Sequence, residues 1–255
     1  METKNQIPQQ WDFYFSRVED EVASIRLNMA LGQIAPLREY PFQIIFSLQM
    51  NEPDENGMGT DTEFQRLNVV EDTLCNELDG RDIVFVGTCR NRGLFEMFFY
   101  AKNDENWQII FDEALANLQE KNYNISVNED SEWKTYFEFL FPNVYEHQAI
   151  QNRKICFRLE QEGDLIEQER NVDFWAYFIS QQDADAFATK IASMGYAVNH
   201  NGLLESEQEP VYQVQFSKMT NVLWSTINQI SWELVDFAQE FNGDYDGWET
   251  IILKK

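Results

Sequence analysis

Basic side chains are scarce in this sequence. Its 255 residues include 19 Lys and Arg against 44 Asp and Glu, which gives a net charge of −25. The excess of acid runs throughout, since residues 1–150 have a net charge of −16 and residues 151–255 one of −9. Because binding to a phosphate backbone needs a concentrated positive surface, we expect neither direct nucleic-acid binding nor attachment to an anionic membrane. An acidic surface keeps a protein soluble, and it also attracts basic surfaces of other proteins.

Histidine and cysteine, which build many metal and nucleophilic sites, are also rare. His147 and His200 show no metal-ligand spacing, and the turn-like composition around His200 predicts a solvated loop. The three cysteines form no C-x-x-C pair, and we expect them to be reduced thiols of a cytoplasmic protein: Cys75, Cys89 and Cys156. We therefore predict no catalytic residue, no metal and no cofactor, and we expect the protein not to be an enzyme.

Long apolar runs are absent. The longest stretches, such as Ile44–Phe46, are far shorter than the ~20 residues that a membrane helix needs. The polar start, Met1–Gln6, predicts no signal peptide. Aromatic residues, in contrast, make up 15% of the chain and include 20 Phe. This content is enough to fill compact cores and argues against intrinsic disorder.

The spacing of apolar residues predicts mixed helices and strands in the first half. Thr62–Leu78 has the period of an amphipathic helix, and its inward face comprises Phe64, Leu67, Val70, Leu74 and Leu78. Ile83–Gly87 and Leu94–Ala101 are expected to pair as a hairpin, and Asp104 is expected to cap the next helix. In the second half, Glu146–Gln161 is compatible with either a strand or a helix.

A strand, a helix and a strand recur in both halves. Phe98–Asp104 leads into a helix and then Tyr123–Val127, and Trp175–Ser180 leads into a helix and then Gly195–Val198. Duplication and coincidence both explain this echo. We predict an α+β protein with two ferredoxin-like α/β sandwich domains, in which antiparallel sheets carry helices on one face. The domains are expected over residues 1–145 and 146–255.

The C-terminal end combines acidic and aromatic residues. Asp246-Gly247 has the composition of a tight turn, and Trp248–Leu253 is expected to form a last short strand. A metal site or an acid–base pair is conceivable, and so is a plain turn with Trp248 in the core. Exposed aromatic and acidic residues together also suit a protein-binding patch. The candidate protein-binding residues are Asp244, Tyr245, Asp246, Trp248 and Glu249.

The same stretch carries a family resemblance. Phe241–Thr250, with its Tyr-Asp-Gly-Trp core, resembles the closing motif of the regulator of ribonuclease E activity B family. Phe178–Ser180, the helix from Asp183 and Met194–Val198 extend the similarity over about residues 146–255. Members of that family are protein inhibitors that bind the endoribonuclease and alter RNA processing. The resemblance implies a ferredoxin-like fold, a helix at the ambiguous segment after residue 146, and no catalytic residues.

Residues 8–142 resemble the bacterial domain of unknown function numbered 695, with its early Trp11-x-x-Tyr14 strand. The first hypothesis is a non-catalytic regulator that binds a basic protein surface, either a ribonuclease E-type endoribonuclease or another basic partner. The second is an enzyme or small-ligand module with a site between the two domains. A weaker third is a nucleic-acid mimic. The sequence leaves the oligomeric state open.

Overall fold

The computed structural model describes residues 7–118, 120–204 and 211–254. Contacts divide the chain into an N-terminal unit, Met1–Pro142, and a C-terminal unit, Asn143–Lys255. Each unit contains one antiparallel sheet with helices, which confirms the predicted α+β class. Within the described residues, each helix is too short or too polar to cross a bilayer.

The N-terminal unit has a six-stranded sheet in the order β1-β2-β4-β5-β3-β6, with every neighbouring pair antiparallel. Its elements are β1 (Trp11–Val18), β2 (Glu21–Asn28), β3 (Phe42–Gln49), α1 (Asp61–Leu78), β4 (Ile83–Asn91), β5 (Leu94–Ala101), α2 (Trp107–Leu115) and β6 (Tyr123–Glu129). The last six form the βαββαβ arrangement of a ferredoxin-like fold. The β1–β2 hairpin extends the sheet beside β4.

Helices α1 and α2 cover one face of this sheet. Phe46 and Phe99 of the sheet pack against Phe111 of α2, with ring centroids 5.9 and 5.6 Å away. Phe64 was predicted to face inward but is 47% exposed, and Glu63 is buried instead. Glu63 accepts a hydrogen bond from the Asn51 amide at 3.1 Å, which turns the first helical turn away from the predicted face.

The opposite face is covered by an aromatic segment, Trp133–Phe141, which contains a π-helical stretch at Thr135–Leu140. Trp133 stacks on Tyr100 with ring centroids 4.0 Å apart. The hydroxyl of Tyr136 donates to the Asn28 carbonyl at 2.8 Å. The central strands of the N-terminal sheet are therefore covered on both faces, a feature that the sequence did not predict, whereas the edge strand β1 exposes Phe13 and Phe15.

The predicted cap of α2 is wrong. The helix begins at Trp107, so Asn106 and not Asp104 occupies the capping position. Asn106 has φ 64 and its side chain makes no capping hydrogen bond. The Trp107 indole donates to the Asn103 carbonyl at 2.9 Å, which fixes the start of the helix two residues beyond the expected point.

The C-terminal unit has a four-stranded sheet in the order β10-β7-β9-β8. Its elements are α3 (Val144–Gln161), β7 (Arg170–Phe178), α4 (Gln181–Ser193), β8 (Ala197–Leu204), β9 (Val211–Thr220), α5 (Trp224–Glu240) and β10 (Gly243–Thr250). Strand β7 through β10 again gives βαββαβ, and α3 packs on α5. The helix implied by the family resemblance is confirmed, and a capping box between Asn143 and Glu146 starts it.

The repeated pattern corresponds to one topology in both units. β3 lies between β5 and β6, and β9 lies between β7 and β8. In each unit, one other strand therefore lies between the two strands of the strand–helix–strand segment, so these two strands do not pair with each other. This shared topology is compatible with duplication and with coincidence.

Two local predictions in the C-terminal unit are wrong. Asp246-Gly247 is not a turn but part of β10, which begins at Gly243. His200 lies in β8 and not in a loop. Both strands contain a bulge, between Tyr245 and Gly247 in β10 and around His200 in β8. A bulge favours the same Gly, Asn and Asp residues as a turn, so local composition does not separate the two.

Candidate functional site

The five predicted binding residues all lie on β10, an edge strand of the C-terminal sheet. Asp244, Asp246 and Glu249 are exposed, whereas Tyr245 and Trp248 are each 6% exposed. Residues three apart on a regular strand point to opposite faces. The bulge between Tyr245 and Gly247 adds one residue, Asp246, and so turns both aromatic rings to the inner face.

Tyr245 and Trp248 belong to a buried polar network. The Trp248 indole donates to Asn152 Oδ1 at 2.8 Å, and Asn152 Nδ2 donates to Asn228 Oδ1 at 2.9 Å. The Tyr245 hydroxyl lies 3.4 Å from Ser231 Oγ, and burial raises the pKa of this tyrosine. The alternative with Trp248 in the core is therefore the one that the structure has, Tyr245 is buried beside it, and neither ring stands exposed as a binding anchor. Their carboxylate neighbours remain on the surface. A role of the five residues in protein binding stays a prediction.

In the described part of the C-terminal unit, the helices α3, α4 and α5 all lie on one side of the sheet. The inner positions of β7, β9 and β10 pack into one core with α3, α4 and α5. The alternate positions point the other way, and we call them the outer sheet face: Asp173, Trp175, Tyr177, His200, Gln213, Gln215, Ser217, Asp244 and Glu249. None of these outward positions in the described strands is Lys or Arg.

Sequence reasoning missed Trp175 and Tyr177 as candidate binding residues. The signal was present, because Phe174–Phe178 alternates two sets of aromatic or apolar residues with period two. Phe174 and Phe178 are buried, while Trp175 and Tyr177 are half-buried on the outer sheet face. A strand with large aromatic residues on both faces either is covered twice or presents a contact surface.

Cross-strand pairing arranges the outer sheet face in rows. Trp175 lies opposite Gly247, and a Cβ placed on Gly247 would meet no atom within 4 Å. We call Trp175 together with the uncovered glycine opposite it the Trp175 notch. Glu249 lies opposite Asp173 on one side of this row, and Asp244 lies opposite Tyr177 on the other. Rows two residues apart are about 7 Å apart along a strand, so carboxylates flank the notch on both sides.

The notch is acidic on both sides of the indole. Like charges placed directly opposite each other on a sheet are destabilising, and Asp173 and Glu249 form such a pair. Asp173 Oδ1 accepts hydrogen bonds from Asn171 Nδ2 at 3.2 Å and from Asn199 Nδ2 at 3.4 Å. An aromatic face with carboxylates on either side is suited to a guanidinium or ammonium group, which stacks on the ring and pairs with the acids.

The N-terminal unit contains a separate feature, a groove of about 1450 Å³ beside α1. Two helices, each about 10–12 Å wide, cover four or five strands at about 4.8 Å spacing, so a six-stranded sheet leaves an uncovered margin. The lining includes Trp11, Arg26, Tyr40, Glu71 and Cys75. Arg26 stacks over the Trp11 ring at 4.8 Å and pairs with Glu71. Basic and acidic residues are balanced in this groove.

The three cysteine thiols are not activated as nucleophiles. Burial raises the pKa of Cys75 and of Cys89 to about 12 and that of Cys156 to about 11, so the thiols stay protonated at neutral pH. Burial also raises the pKa of Glu71 in the groove, against the opposing charge of Arg26. Among the described residues, no three His, Cys, Asp or Glu side chains are grouped to hold a metal ion.

Two family models match the chain. Residues 9–141 match the Family of unknown function (DUF695), and residues 149–250 match Regulator of ribonuclease activity B. No curated protein matches the chain. A solved structure titled "Crystal Structure of an Unknown Protein from Galdieria sulphuraria" is similar at 11% identity, over 84% of this chain and 99% of that one. Its TM-score of 0.23 is too low to support an argument.

Both resemblances seen in the sequence motifs are therefore confirmed. The N-terminal match spans more than half of the chain and ends next to the division between the two units. The C-terminal match begins inside α3 and ends with β10, so it includes the whole four-stranded sheet and its Trp175 notch. This protein belongs to the Family of unknown function (DUF695), and its C-terminal unit matches the Regulator of ribonuclease activity B family.

Proposed function

We propose that this protein is a non-catalytic regulator that binds a basic protein through the outer sheet face of its C-terminal unit. The observation that carries the proposal is the Trp175 notch, an aromatic ring with an uncovered glycine opposite it and carboxylates on both sides. The match to a family of regulators supports the regulatory role. The net charge of −25 adds long-range attraction to any basic partner.

Recognition begins with an arginine of the partner. Its guanidinium stacks on the Trp175 indole in the space that Gly247 leaves, and its N–H groups donate to Asp173, Glu249 or Asp244. A cation over an aromatic ring contributes about 0.5–1 kcal/mol when exposed and about 2 kcal/mol when desolvated. Arginine fits better than lysine because its planar group stacks and donates in a fork at the same time. The bound cation also relieves the repulsion between Asp173 and Glu249.

The partner that we propose is an endoribonuclease of the ribonuclease E type. The family match points to such an enzyme. An enzyme that handles RNA needs a positive surface for the phosphate backbone, and an acidic protein docks on such a surface. Inhibition then follows from competition for the surface that RNA uses. In its broader form, the proposal extends to any other basic protein that exposes an arginine.

Calorimetry with the full chain and the ribonuclease E-type enzyme of the same host tests the proposal. We expect binding at about 0.05 M NaCl that weakens at least tenfold at about 0.3 M, because salt screens exposed charges. Trp175→Ala should weaken binding by roughly tenfold or more, since it removes the stacking surface. Asp173→Asn should reduce both the affinity and its salt dependence.

A matched control is Trp224→Ala, because Trp224 is 44% exposed and lies at the start of α5, away from the outer sheet face. This variant should bind like the wild type. Absence of binding at low salt would exclude the ribonuclease as the target. Equal binding by the Trp175 and Trp224 variants would exclude the notch as the interface.

A small-ligand module is the second candidate, and the N-terminal groove favours it. The groove has aromatic walls and a partly exposed carboxylate–guanidinium pair, Glu71 with Arg26, a composition typical of ligand pockets. Cys75→Trp would fill the groove from α1, and Ile109→Trp on the exposed side of α2 is the control. Compounds that raise the melting temperature of the control and not of the Cys75 variant would support this function.

A further inference from the structure

Strand β8 is an edge strand whose outer side is exposed. It pairs with β9 in the described part of the sheet, and six of its eight residues are exposed. Leu203 is 55% exposed, and Val198 and Leu204 are exposed as well. An edge strand presents unpaired backbone N–H and C=O groups, which form a template for another strand.

The other sheet edges are protected in ways that β8 is not. Each of the edge strands β1, β6 and β10 carries at least one charged residue, such as Arg17, Glu129 and Asp244. On β10, Gln148 Nε2 of α3 also donates to the Tyr245 carbonyl at 3.3 Å. Strand β8 contains no Lys, Arg, Asp, Glu or Pro. In a chain with 25% charged residues, this neutral strand lacks the charged side chains and the proline that protect many edge strands, and the bulge beside His200 is the protective feature that it does have.

The residues of β8 complement a second copy of the same strand. The bulge removes Asn199 from the ladder with β9 and leaves seven paired residues, of which Asn201 is the middle one. In an antiparallel pair centred on Asn201, Val198 lies opposite Leu203 of the second copy, and Ala197 lies opposite Leu204. His200 lies opposite Gly202, so the large imidazole meets a residue without a side chain.

The faces of the sheet agree with this pairing. Val198 and Leu203 pair with Phe216 and Tyr212 of β9 and so share the inner face. Ala197 and Leu204 pair with Ser217 and Val211 and share the outer face. Directly opposite residues of an antiparallel pair must lie on one face, and every pair formed about Asn201 meets this condition.

We propose that β8 is a dimerisation edge, where two copies of this chain pair antiparallel about Asn201 and join their C-terminal sheets into one of eight strands. A two-fold axis makes this contact self-complementary, as closed dimers require. The paired residues of β8 include no Lys, Arg, Asp or Glu, but Asp185 of α4 accepts a hydrogen bond from Asn201 Nδ2 at 2.7 Å, so the axis brings one carboxylate of each copy near the other. The net charge of −25 on each copy still opposes association at long range, so salt should favour the dimer.

Sedimentation equilibrium of the full chain tests the proposal, at concentrations up to roughly 100 µM so that a micromolar contact is populated. We expect a monomer–dimer equilibrium that tightens by roughly tenfold between about 0.05 and about 0.5 M NaCl. This sign is opposite to the one expected for binding a basic partner. Hydrogen exchange should slow at Ala197–Leu204 as the concentration rises.

The variant Leu203→Lys places a charge opposite Val198 of the second copy and should give a monomer with an unchanged melting temperature. Phe157→Lys is the matched control, because Phe157 is 58% exposed on α3 and the charge change is the same. The control should dimerise like the wild type. A wild-type chain that is monomeric at every salt concentration would overturn the proposal, and so would a Leu203→Lys variant that dimerises normally. If Leu203→Lys has a lower melting temperature than the wild type, two other results decide the question. A Leu204→Lys variant that is monomeric and slower hydrogen exchange of wild-type β8 at high concentration would support the dimer, and the opposite results would overturn it.

Discussion

The two units share a ferredoxin-like arrangement of strands and helices but differ in what covers the second face of the sheet. In the N-terminal unit, Trp133–Phe141 lies on that face, and β5 is buried on both sides through Phe99 and Tyr100. In the C-terminal unit the same face bears Trp175 and Tyr177 with a border of carboxylates. The first sheet buries aromatic residues on both faces, whereas the second leaves Trp175 and Tyr177 half-buried on its outer sheet face.

The difference locates function within a repeated fold. A ferredoxin-like sheet buries one face under its own helices, and the other face is sealed by added chain or remains available. The N-terminal unit, covered on that face, offers the groove at the margin of α1. The C-terminal unit offers a broad face and a neutral edge strand. Regulation of a partner protein therefore fits the C-terminal unit better.

The largest effect is expected at Trp133, part of the aromatic segment Trp133–Phe141 that lies on the second face of the N-terminal sheet. We call this segment the aromatic cover. Trp133 is fully buried, stacks on Tyr100 and donates from its indole to the Tyr40 carbonyl at 3.0 Å. Trp133→Ala should lower the free energy of unfolding by about 4 kcal/mol, because a large cavity opens on the second face. Urea unfolding followed by far-UV circular dichroism measures the loss. A cost below about 1 kcal/mol would show that the cover is not a stability element.

A second large effect is expected at the ion pair that holds the end of the C-terminal unit. Arg170 Nη1 donates to both carboxylate oxygens of Asp164, at 2.8 and 2.7 Å, and both side chains are almost fully buried. The Leu253 amide also donates to Asp164 at 2.7 Å. Asp164→Ala should cost about 3 kcal/mol, because it leaves a buried guanidinium unpaired. The exposed pair of Lys254 and Glu162 is the control, and Glu162→Ala should cost less than about 1 kcal/mol.

A medium effect with a defined pH dependence is expected at Asp130, which holds the cover to the sheet. Burial raises the pKa of Asp130, but hydrogen bonds from the Tyr100 hydroxyl at 2.6 Å and the Lys134 and Thr135 amides outweigh it, and the net pKa is lowered. The folded state thus binds the proton less tightly than the unfolded chain. Stability from Asp130 is full above the unfolded pKa of about 3.9 and is lost as the pH falls through the folded value.

Asp130→Asn should therefore cost about 1–2 kcal/mol at neutral pH, because it weakens hydrogen bonds that a charged acceptor strengthens. The difference from the wild type should shrink as the pH falls below about 4. Unfolding midpoints of both proteins across this range measure it. A difference that stays constant from neutral to acidic pH would show that the charge of Asp130 is not what holds the cover.

The smallest effect is expected on the outer sheet face and has the opposite sign. The double variant Asp173→Asn with Glu249→Gln removes a like-charge pair, and we expect a gain of about 0.2–1 kcal/mol in the free energy of unfolding. The same variant should bind a basic partner less tightly. A variant that is more stable but binds less tightly would show that the like-charge pair lowers stability and serves binding. A variant that loses both stability and binding would indicate a structural role for the pair.

The domain division stays a prediction. The sequence places it after residue 145, and the contacts separate the chain between Pro142 and Asn143. We propose a cut at the second point, because Asn143 and Glu146 form the capping box of α3 and a cut after residue 145 would divide it. Expression of residues 143–255 with a cooperative unfolding transition would support two independent domains. Failure of that fragment to fold, with the full chain stable, would refute them.

The spacing of residues along the sequence predicted those helices and hairpins that are held together by residues close to one another in the chain. The spacing of Leu67, Val70 and Leu74 predicted α1, and Gly195 with φ +87 ends α4 as expected. The hairpin of β4 and β5 was found because both strands are adjacent and apolar. The bulges of β8 and β10 were mistaken for turns, because the extra residue of a bulge selects the same small and polar residues as a turn.

The amino-acid sequence by itself determined the acidic charge, the α+β class, the membership in the Family of unknown function (DUF695), the similarity of the C-terminal unit to Regulator of ribonuclease activity B, and most helices and strands. These depend on composition and on short-range periodicity. The tertiary structure alone decided that Tyr245 and Trp248 point inward while Trp175 and Tyr177 point outward. Alternation along a strand separates two sets of side chains but does not say which set is covered. That outcome depends on a bulge and on helices distant in the chain, and therefore on contacts that no local pattern encodes.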